Sequence, residues 1–232
     1  MLDDEGKWNN FTNKSYNLIN NNCIKINSLS DGRVYVGTWG GGLLELKENS
    51  GQFEVSRYDT SNSPLTGATT KDLGYVIAGE TLEDNNGKLW IINYGEGPTG
   101  PLLVSMDNSG NFLTYNNNES ITERQFLELA IDGYGTKWLG SNNFSKGIYY
   151  YNENNTPDDK SDDKFGKLTK SNSGLLDNEI TAIEVDNNGI IWIGTPAGLN
   201  FILDSYPALS NEKIYVRDEN HLKNQLIRDI YI

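Results

Sequence analysis

The chain has little of what most catalytic sites are built from: among 232 residues there is one histidine, His221, and one cysteine, Cys23. A single cysteine excludes an intrachain disulfide and a thiolate metal cluster. A single histidine, with no G-x-S-x-G, leaves triad hydrolysis and histidine-based zinc sites without their parts. His221 lies in the polar stretch Asp218-Glu219-Asn220-His221-Leu222-Lys223 and reads as a solvated loop residue. Cys23 adjoins the strand residues Ile24-Lys25-Ile26 and reads as a buried or half-buried small side chain. No run of about 20 apolar residues is present, so no segment has the makings of a membrane-spanning helix. The start, Met1-Leu2-Asp3-Asp4-Glu5, lacks the basic and apolar regions of a signal peptide. Positive charge is scarce too: 19 Lys and Arg face 32 Asp and Glu, a net charge of −13, which argues against nucleic acid as a partner.

Helical periodicity is missing as well. No segment keeps apolar residues at helical spacing for ten or more residues, so the expected α content is close to nil. What the chain has is repetition. The phrase [IL]-x-[IV]-D-x-x-G-x-x-W-[IL]-G-[ST] runs from Leu129 to Ser141 and again from Ile183 to Thr195. Weaker copies run from Ile26 to Thr38 and from Leu82 to Asn93. Gly140 and Gly194 lie 54 residues apart, Gly37 and Ile92 lie 55 apart, and Ile92 and Gly140 lie 48 apart. That period holds one four-stranded antiparallel unit with its turns.

Each copy begins as an alternating strand, turns at Asp-x-x-Gly, and continues into a strand that carries Tyr35, Trp90, Trp138 or Trp192. The Asp side chain caps the turn's amides, and the Gly takes the positive φ that the hairpin needs. Two further strands follow in each copy. Such sheets cannot bury both faces alone, and stacking them around an axis gives a β-propeller. The expected architecture is all-β: four blades of four antiparallel strands, at about 24–59, 74–116, 126–169 and 180–218. Residues 1–23 are expected to supply the outer strand of a preceding blade and a linker, and 224–232 the first strand of a following one. The chain thus reads as a partial propeller, a fragment of something longer.

The Asp-x-x-Gly turns lack the alternating ligands and terminal Glu of a calcium loop, so hairpin geometry explains them. Gly37-Thr38-Trp39-Gly40-Gly41-Gly42 joins two strands and leads into no helix that could hold a phosphate. Its glycines allow close backbone approach, and an exposed Trp39 would be a stacking platform. The acidic stretch from Asn154 to Lys164 could hold a divalent cation, but a flexible outer loop is the favoured reading. The recurring tryptophans read as packing between blades, and no carboxylate pair for glycoside hydrolysis can be singled out.

At these residues the chain resembles the two-component-regulator propeller repeat, I-x-x-I-x-x-D-x-x-G-x-x-W-I-G-T followed by G-[GL]. The fourth copy is nearly complete from Ile180 to Leu199, and the second departs at Ile92-Asn93. A nearer likeness is to PorZ-type β-propeller proteins of the type IX secretion system. It rests on Gly87-Lys88-Leu89-Trp90-Ile91-Ile92-Asn93-Tyr94-Gly95 with Pro101-Leu102 and Asp107-x-x-Gly110, and on Asn155-Thr156-Pro157-Asp158 leading through Asp162-Asp163 to Leu168-Thr169 and Ser173-Gly174-Leu175. That likeness implies a non-catalytic component of a secretion machine, periplasmic or at the cell surface, without cofactor or metal and with a protein or glycan of the envelope as partner. The alternative is the periplasmic oligosaccharide-sensing domain of a hybrid histidine kinase, and last comes a propeller lyase or hydrolase.

Recognition should lie in the loops, because blade strands are used for packing. Connections from strand two to strand three and from blade to blade are expected on one face. The candidate ligand-binding residues there are Trp39, Tyr94, Glu96, Asn142, Asn143 and Phe144, with Arg124 and Lys170 from the blade junctions. Aromatic faces would stack on sugars, while amides and charges would fix hydroxyls.

Overall fold

The computed structural model describes residues 6, 8–12, 14, 22–49, 52–96, 100–115, 124–142, 145–210 and 212–232. They form four blades of antiparallel strands. Blade 1 comprises β1 (Cys23–Ser28), β2 (Val34–Gly40), β3 (Leu43–Asn49) and β4 (Gln52–Tyr58). Blade 2 comprises β5 (Val76–Glu83), β6 (Leu89–Tyr94), β7 (Leu103–Met106) and β8 (Phe112–Tyr115). Blade 3 is β9 (Glu128–Ile131), β10 (Lys137–Gly140), β11 (Ile148–Asn152) and β12 (Lys164–Leu168). Blade 4 is β13 (Ala182–Val185), β14 (Ile191–Thr195), β15 (Gly198–Ile202) and the short β16 (Arg217–Asp218). Within each blade the strands pair in chain order, and β1, β5, β9 and β13 touch one another in succession around a common axis.

The spacing Asp-x-x-Gly-x-x-Trp has a specific cause. In the hairpin of blade 3, one Asp132 oxygen accepts from the backbone N–H groups of Tyr134 and Thr136, each at 2.9 Å. The other accepts from Trp138 Nε1 at 3.0 Å. Asp84 does the same for Asn86, Lys88 and Trp90, and Asp186 for Asn188, Ile190 and Trp192. The indole bond holds the Asp186 carboxyl below the usual carboxylate range. Blade 1 departs from the expected Asp-x-x-Gly turn: Leu29 stands where the Asp would and Tyr35 where the Trp would, and there Arg33 donates to both Asp31 and the Tyr35 hydroxyl. One carboxylate therefore closes the turn and orients the large aromatic of the next strand.

Those aromatics form one face of each blade, and the following blade covers them, with mainly aliphatic residues in blades 2 and 4 and mainly aromatic ones in blade 3. Tyr35 and Leu43 pack on Leu89, Ile91, Val104 and Met106 of blade 2. Trp90 and Tyr115 pack on Phe126, Leu139, Tyr149 and Tyr151 of blade 3. Trp138 packs on Ile191, Ile193, Ile202 and Ile214 of blade 4. The small residue that ends the repeat serves the same junctions. A Cβ on Gly140 would lie 2.7 Å from Ile180 Cγ2, and one on Gly194 would lie 2.9 Å from Ile227 Cγ2. Blade 2 places Ile92 at this position, and the missing space is supplied by Gly79 across the ladder, where a Cβ would stand 3.1 Å from Ile92 Cβ. The register shifts there, between Ala78 and Thr81.

Several expectations are corrected. Blades 1 and 2 share one eight-stranded sheet, because β2 runs on past its own hairpin and pairs Trp39 with Ile77 and Gly40 with Val76. Cys23 is exposed rather than buried: it stands at the start of β1, at the rim of a groove that it lines together with Asn9, Asn10 and Phe11. Residues 224–232 make no ladder strand; Ile227 N–H instead donates to the Thr195 carbonyl at 3.1 Å. That bond parallels the one from Ile180 N–H to the Ser141 carbonyl at 3.0 Å, which leads into β13. A one-turn helix, α1 (Pro207–Ser210), precedes β16, and His221 lies in a 3-10 turn with its side chain in solvent. The acidic loop carries its own bonds: Asp162 accepts from Thr156 and Asn154, each at 2.8 Å, and Asp159 from Ser161.

Replacing Asp132 by Ala would strand a fully buried indole N–H and open its turn. The expected loss is about 2–3 kcal/mol in urea unfolding. Asp107→Ala, in an exposed turn where the partner is Asn111 rather than an indole, is expected to move the urea midpoint far less than Asp132→Ala does.

Candidate functional site

Blade-to-blade connections and strand-two-to-three connections meet at one end of the arc. Backbone bonds join them: Gly42 N–H to Val76 O, Glu96 N–H to Ala68 O, and Gly147 N–H to Asn178 O. Two groups of polar side chains collect here.

The first lines the axis. Lys25 from β1 forms ion pairs with Glu128 from β9 and, at 3.6 Å, with Glu80 from β5. Glu80 also accepts from Leu129 N–H at 2.9 Å, and Asn142 Nδ2 donates to Glu128 at 3.1 Å. Glu184 of β13 and Asp229 add negative charge nearby. Burial, with Glu128 and Glu184 adding to it against the pull of Lys25, pushes the Glu80 carboxyl up to about 7. Burial, then Asp229, raises Glu184 as well. Burial opposes the Lys25 charge, but Glu80 and Glu128 hold its ammonium above its ordinary value. Lys25, Glu80 and Glu128 each stand 12 residues before Gly37, Ile92 and Gly140, so they occupy one repeat position. Aligning the repeats on those residues would have exposed this site; a search for motifs within single loops passes it by.

The second group sits between blades 1, 2 and 3. Arg124 is 2% exposed, pairs its backbone with Gly95, and donates from Nη1 to Thr66 Oγ1 at 3.0 Å. Burial lowers its pKa, although an arginine keeps its charge. Gly95 and Gly100 are required beside it: a Cβ on Gly95 would lie 2.1 Å from Arg124 Nη2, and one on Gly100 would lie 2.2 Å from Thr66 Oγ1. With Thr66, Thr69, Thr70, Leu73 and Glu96, the guanidinium lines a cleft of about 270 Å³.

The residues expected from the sequence divide among these places. Trp39 is half-buried, its ring 5.5 Å from that of Tyr94, and both pack with Ala68, Ile77 and Leu127. Tyr94 is buried, which raises its pKa, and its hydroxyl is bonded to Gln125. Its ring supports Trp39 instead of offering a free face. Glu96 is exposed at the rim of the Arg124 cleft, whereas Asn142 turns to the axis. Lys170 is at the junction of blades 3 and 4, where its N–H donates to Asn178 at 2.7 Å. Asn143 and Phe144 lie outside the described residues.

This arrangement is that of a β-propeller with a polar, loop-built end. The two component regulator propeller family model matches residues 174–197, the turn and second strand of blade 4 with the segment before them. The PorZ-like likeness holds in three dimensions: PorZ of Porphyromonas gingivalis matches with a TM-score of 0.79 at 23% identity, over 99% of this chain and 33% of that one. PorZ is described as an essential bacterial surface component of the type-IX secretion system. The extracellular domain of the hybrid two component system BT3049 from B. thetaiotaomicron matches at 0.60 and 19% identity, over 88% of this chain and 24% of that one. A gluconolactonase from Xanthomonas campestris matches at 0.54 and 10% identity, over 89% and 64%. The chain thus spans about a third of PorZ and a quarter of the BT3049 domain. No curated protein matches it.

The axial carboxyls set a pH dependence. Glu80 binds its proton more tightly folded than unfolded, so the folded state holds more protons between about pH 4.5 and 7, and stability falls as pH rises through that window. Thermal melts from pH 5 to 7.5 should show this fall. Glu80→Gln should flatten it, leaving the smaller share of Glu184, and Lys25→Met should steepen it.

Proposed function

We propose that this chain is a non-catalytic binding and scaffold module of a bacterial cell-envelope protein, of the PorZ kind, working outside the cytoplasm. The observation that carries the reading is the likeness to PorZ across 99% of the chain. The loop-built end supports it: charged and aromatic groups gather at connections while the strands are consumed in packing. The partner is a protein or glycan of the envelope, met by Trp39, Glu96, Arg124, Asn142 and Lys170, with Tyr94 behind Trp39 and Asn143 and Phe144 carried over from the sequence. The lone histidine adds little to a catalytic case, since its ring is bonded to Glu219 in an exposed turn.

A second reading is the oligosaccharide-sensing domain of a hybrid two-component kinase. It is favoured by the regulator propeller match at 174–197 and by the likeness to the BT3049 domain. The two readings separate in one experiment, in which the purified chain is titrated with envelope glycans and, in parallel, with detergent-solubilised envelope proteins. Saturable protein binding supports the secretion role, and saturable oligosaccharide binding the sensor role. Trp39→Ala with Glu96→Ala should weaken binding about tenfold or more, the loss of roughly 1.4 kcal/mol, in a protein that still folds but melts lower because Trp39 packs on Tyr94 and Leu127. Turnover of any glycan in the panel would overturn the non-catalytic reading.

A further inference from the structure

The junction of blades 1 and 2 departs from the repeat in both length and polarity. Val76, Arg124 and Asn178 hold one repeat position: their carbonyls accept from Gly42, Gly95 and Gly147 N–H groups. Thr66 and Leu176 hold another, since their N–H groups donate to the Asn93 and Asn200 side chains. Leu176 precedes Asn178 by two residues, whereas Thr66 precedes Val76 by 10, so the first junction carries a longer loop. The loop is tightly built: Ala68 N–H donates to Tyr75 O at 2.8 Å, and a Cβ on Gly67 would stand 2.5 Å from the Leu73 carbonyl oxygen. Where the other junction has Leu176, this one has Thr66 with the Arg124 guanidinium on it. Local departures from a consistent repeat mark functional positions.

Thr66 Oγ1 accepts from Arg124 Nη1 at 3.0 Å and from Asn93 Nδ2 at 2.8 Å, which occupies both lone pairs of the hydroxyl. Its own proton must then be donated, and among the described residues no acceptor takes it. Thr66 and the guanidinium line the cleft of about 270 Å³. A wall that offers a fixed guanidinium and a hydroxyl committed to donating suits an oxyanion. An open groove of about 470 Å³ continues from the cleft, sharing Thr66, Gly67 and Leu73 and adding Pro64 and Leu65. Leu73 is 69% exposed there.

We infer that cleft and groove together bind the C-terminal end of a partner protein, with its terminal carboxylate on Arg124 and Thr66. The last side chain lies against Ala68 and Leu73, and the peptide leaves over Pro64 and Leu65. This rests on the reading of the loop-built end as a binding surface and narrows its partner to a protein. Charge complementarity is one argument, because a carboxylate matches the guanidinium. The lining is the other. No aromatic ring lines the cleft or the groove, and Trp39 and Tyr94 pack with each other instead, so a sugar ring has no face here to stack on. Glu96 at the mouth accepts from peptide N–H groups and repels a second carboxylate.

Fluorescence anisotropy tests this with the whole chain and N-terminally labelled hexapeptides, randomised before a final leucine, as free acids and as C-terminal amides. The acids should bind saturably below about 1 mM, and the amides about tenfold more weakly or worse. Leu73→Glu changes an exposed residue and should weaken the acids about tenfold with an unchanged melting temperature. Thr66→Val should weaken them similarly, while Thr66→Ser, which keeps the hydroxyl, should bind as the wild type does. No binding of the acids, equal binding of acids and amides, or full binding by folded Leu73→Glu and Thr66→Val chains would each overturn the proposal. Saturable binding of polygalacturonate in place of the peptides would overturn it as well. The broader reading fails separately: a preparation that ignores the peptides but binds detergent-solubilised envelope proteins sinks this inference and leaves that reading standing.

Discussion

The structure depends on a carboxylate shared between a turn and an indole. In blades 2, 3 and 4 the same Asp accepts from two turn amides and from the tryptophan six residues on, so the hairpin cannot form correctly without placing the aromatic. An indole buried between two sheets needs a partner for its single N–H. The turn supplies that partner at a fixed distance from the strand start. Local geometry and the contact between blades are thereby set by one group, and every blade aims its aromatic face toward the next.

With the turns and blade faces committed to packing, polar chemistry is left to the opposite end. Inner strands from successive blades converge there, and a charge on each is carried into its neighbours' field. This is why Glu80, on a strand that would otherwise be unremarkable, is pushed to about 7, and why Lys25 sits among carboxylates from several blades. Lys137 shows the same pressure away from the axis. Buried between blades 2 and 3, it pairs with Glu153, lies 3.7 Å from the centre of the Trp90 ring, and has its pKa lowered by burial. The similarity of the fold to a secretion component, a sensor domain and a gluconolactonase fits this division, in which the sheets are the common ground.

Much of the fold was legible because its signals are local and repeated. The Asp-x-x-Gly turn, the strand alternation and the recurrent Trp each lie within about a dozen residues, and four copies average out exceptions such as Ile92. The site was legible only in part. Arg124 and Glu96 line one cleft, whereas Tyr94 is buried behind Trp39, and Asn142 is drawn to Glu128. Cys23 was misread because apolar neighbours in a strand do not bury a residue at the strand's start, on the rim of a groove.

By itself the sequence determined the repeat, the hairpins and the all-β architecture, since turn chemistry and side-chain alternation act between residues close in the chain. Only the tertiary structure decided which charges share the axis, that Gly79 makes room for Ile92, and which residues of neighbouring blades pack on each aromatic face. Those outcomes depend on distances between residues of different blades, about 50 positions apart in sequence, where no local pattern records what will be brought together.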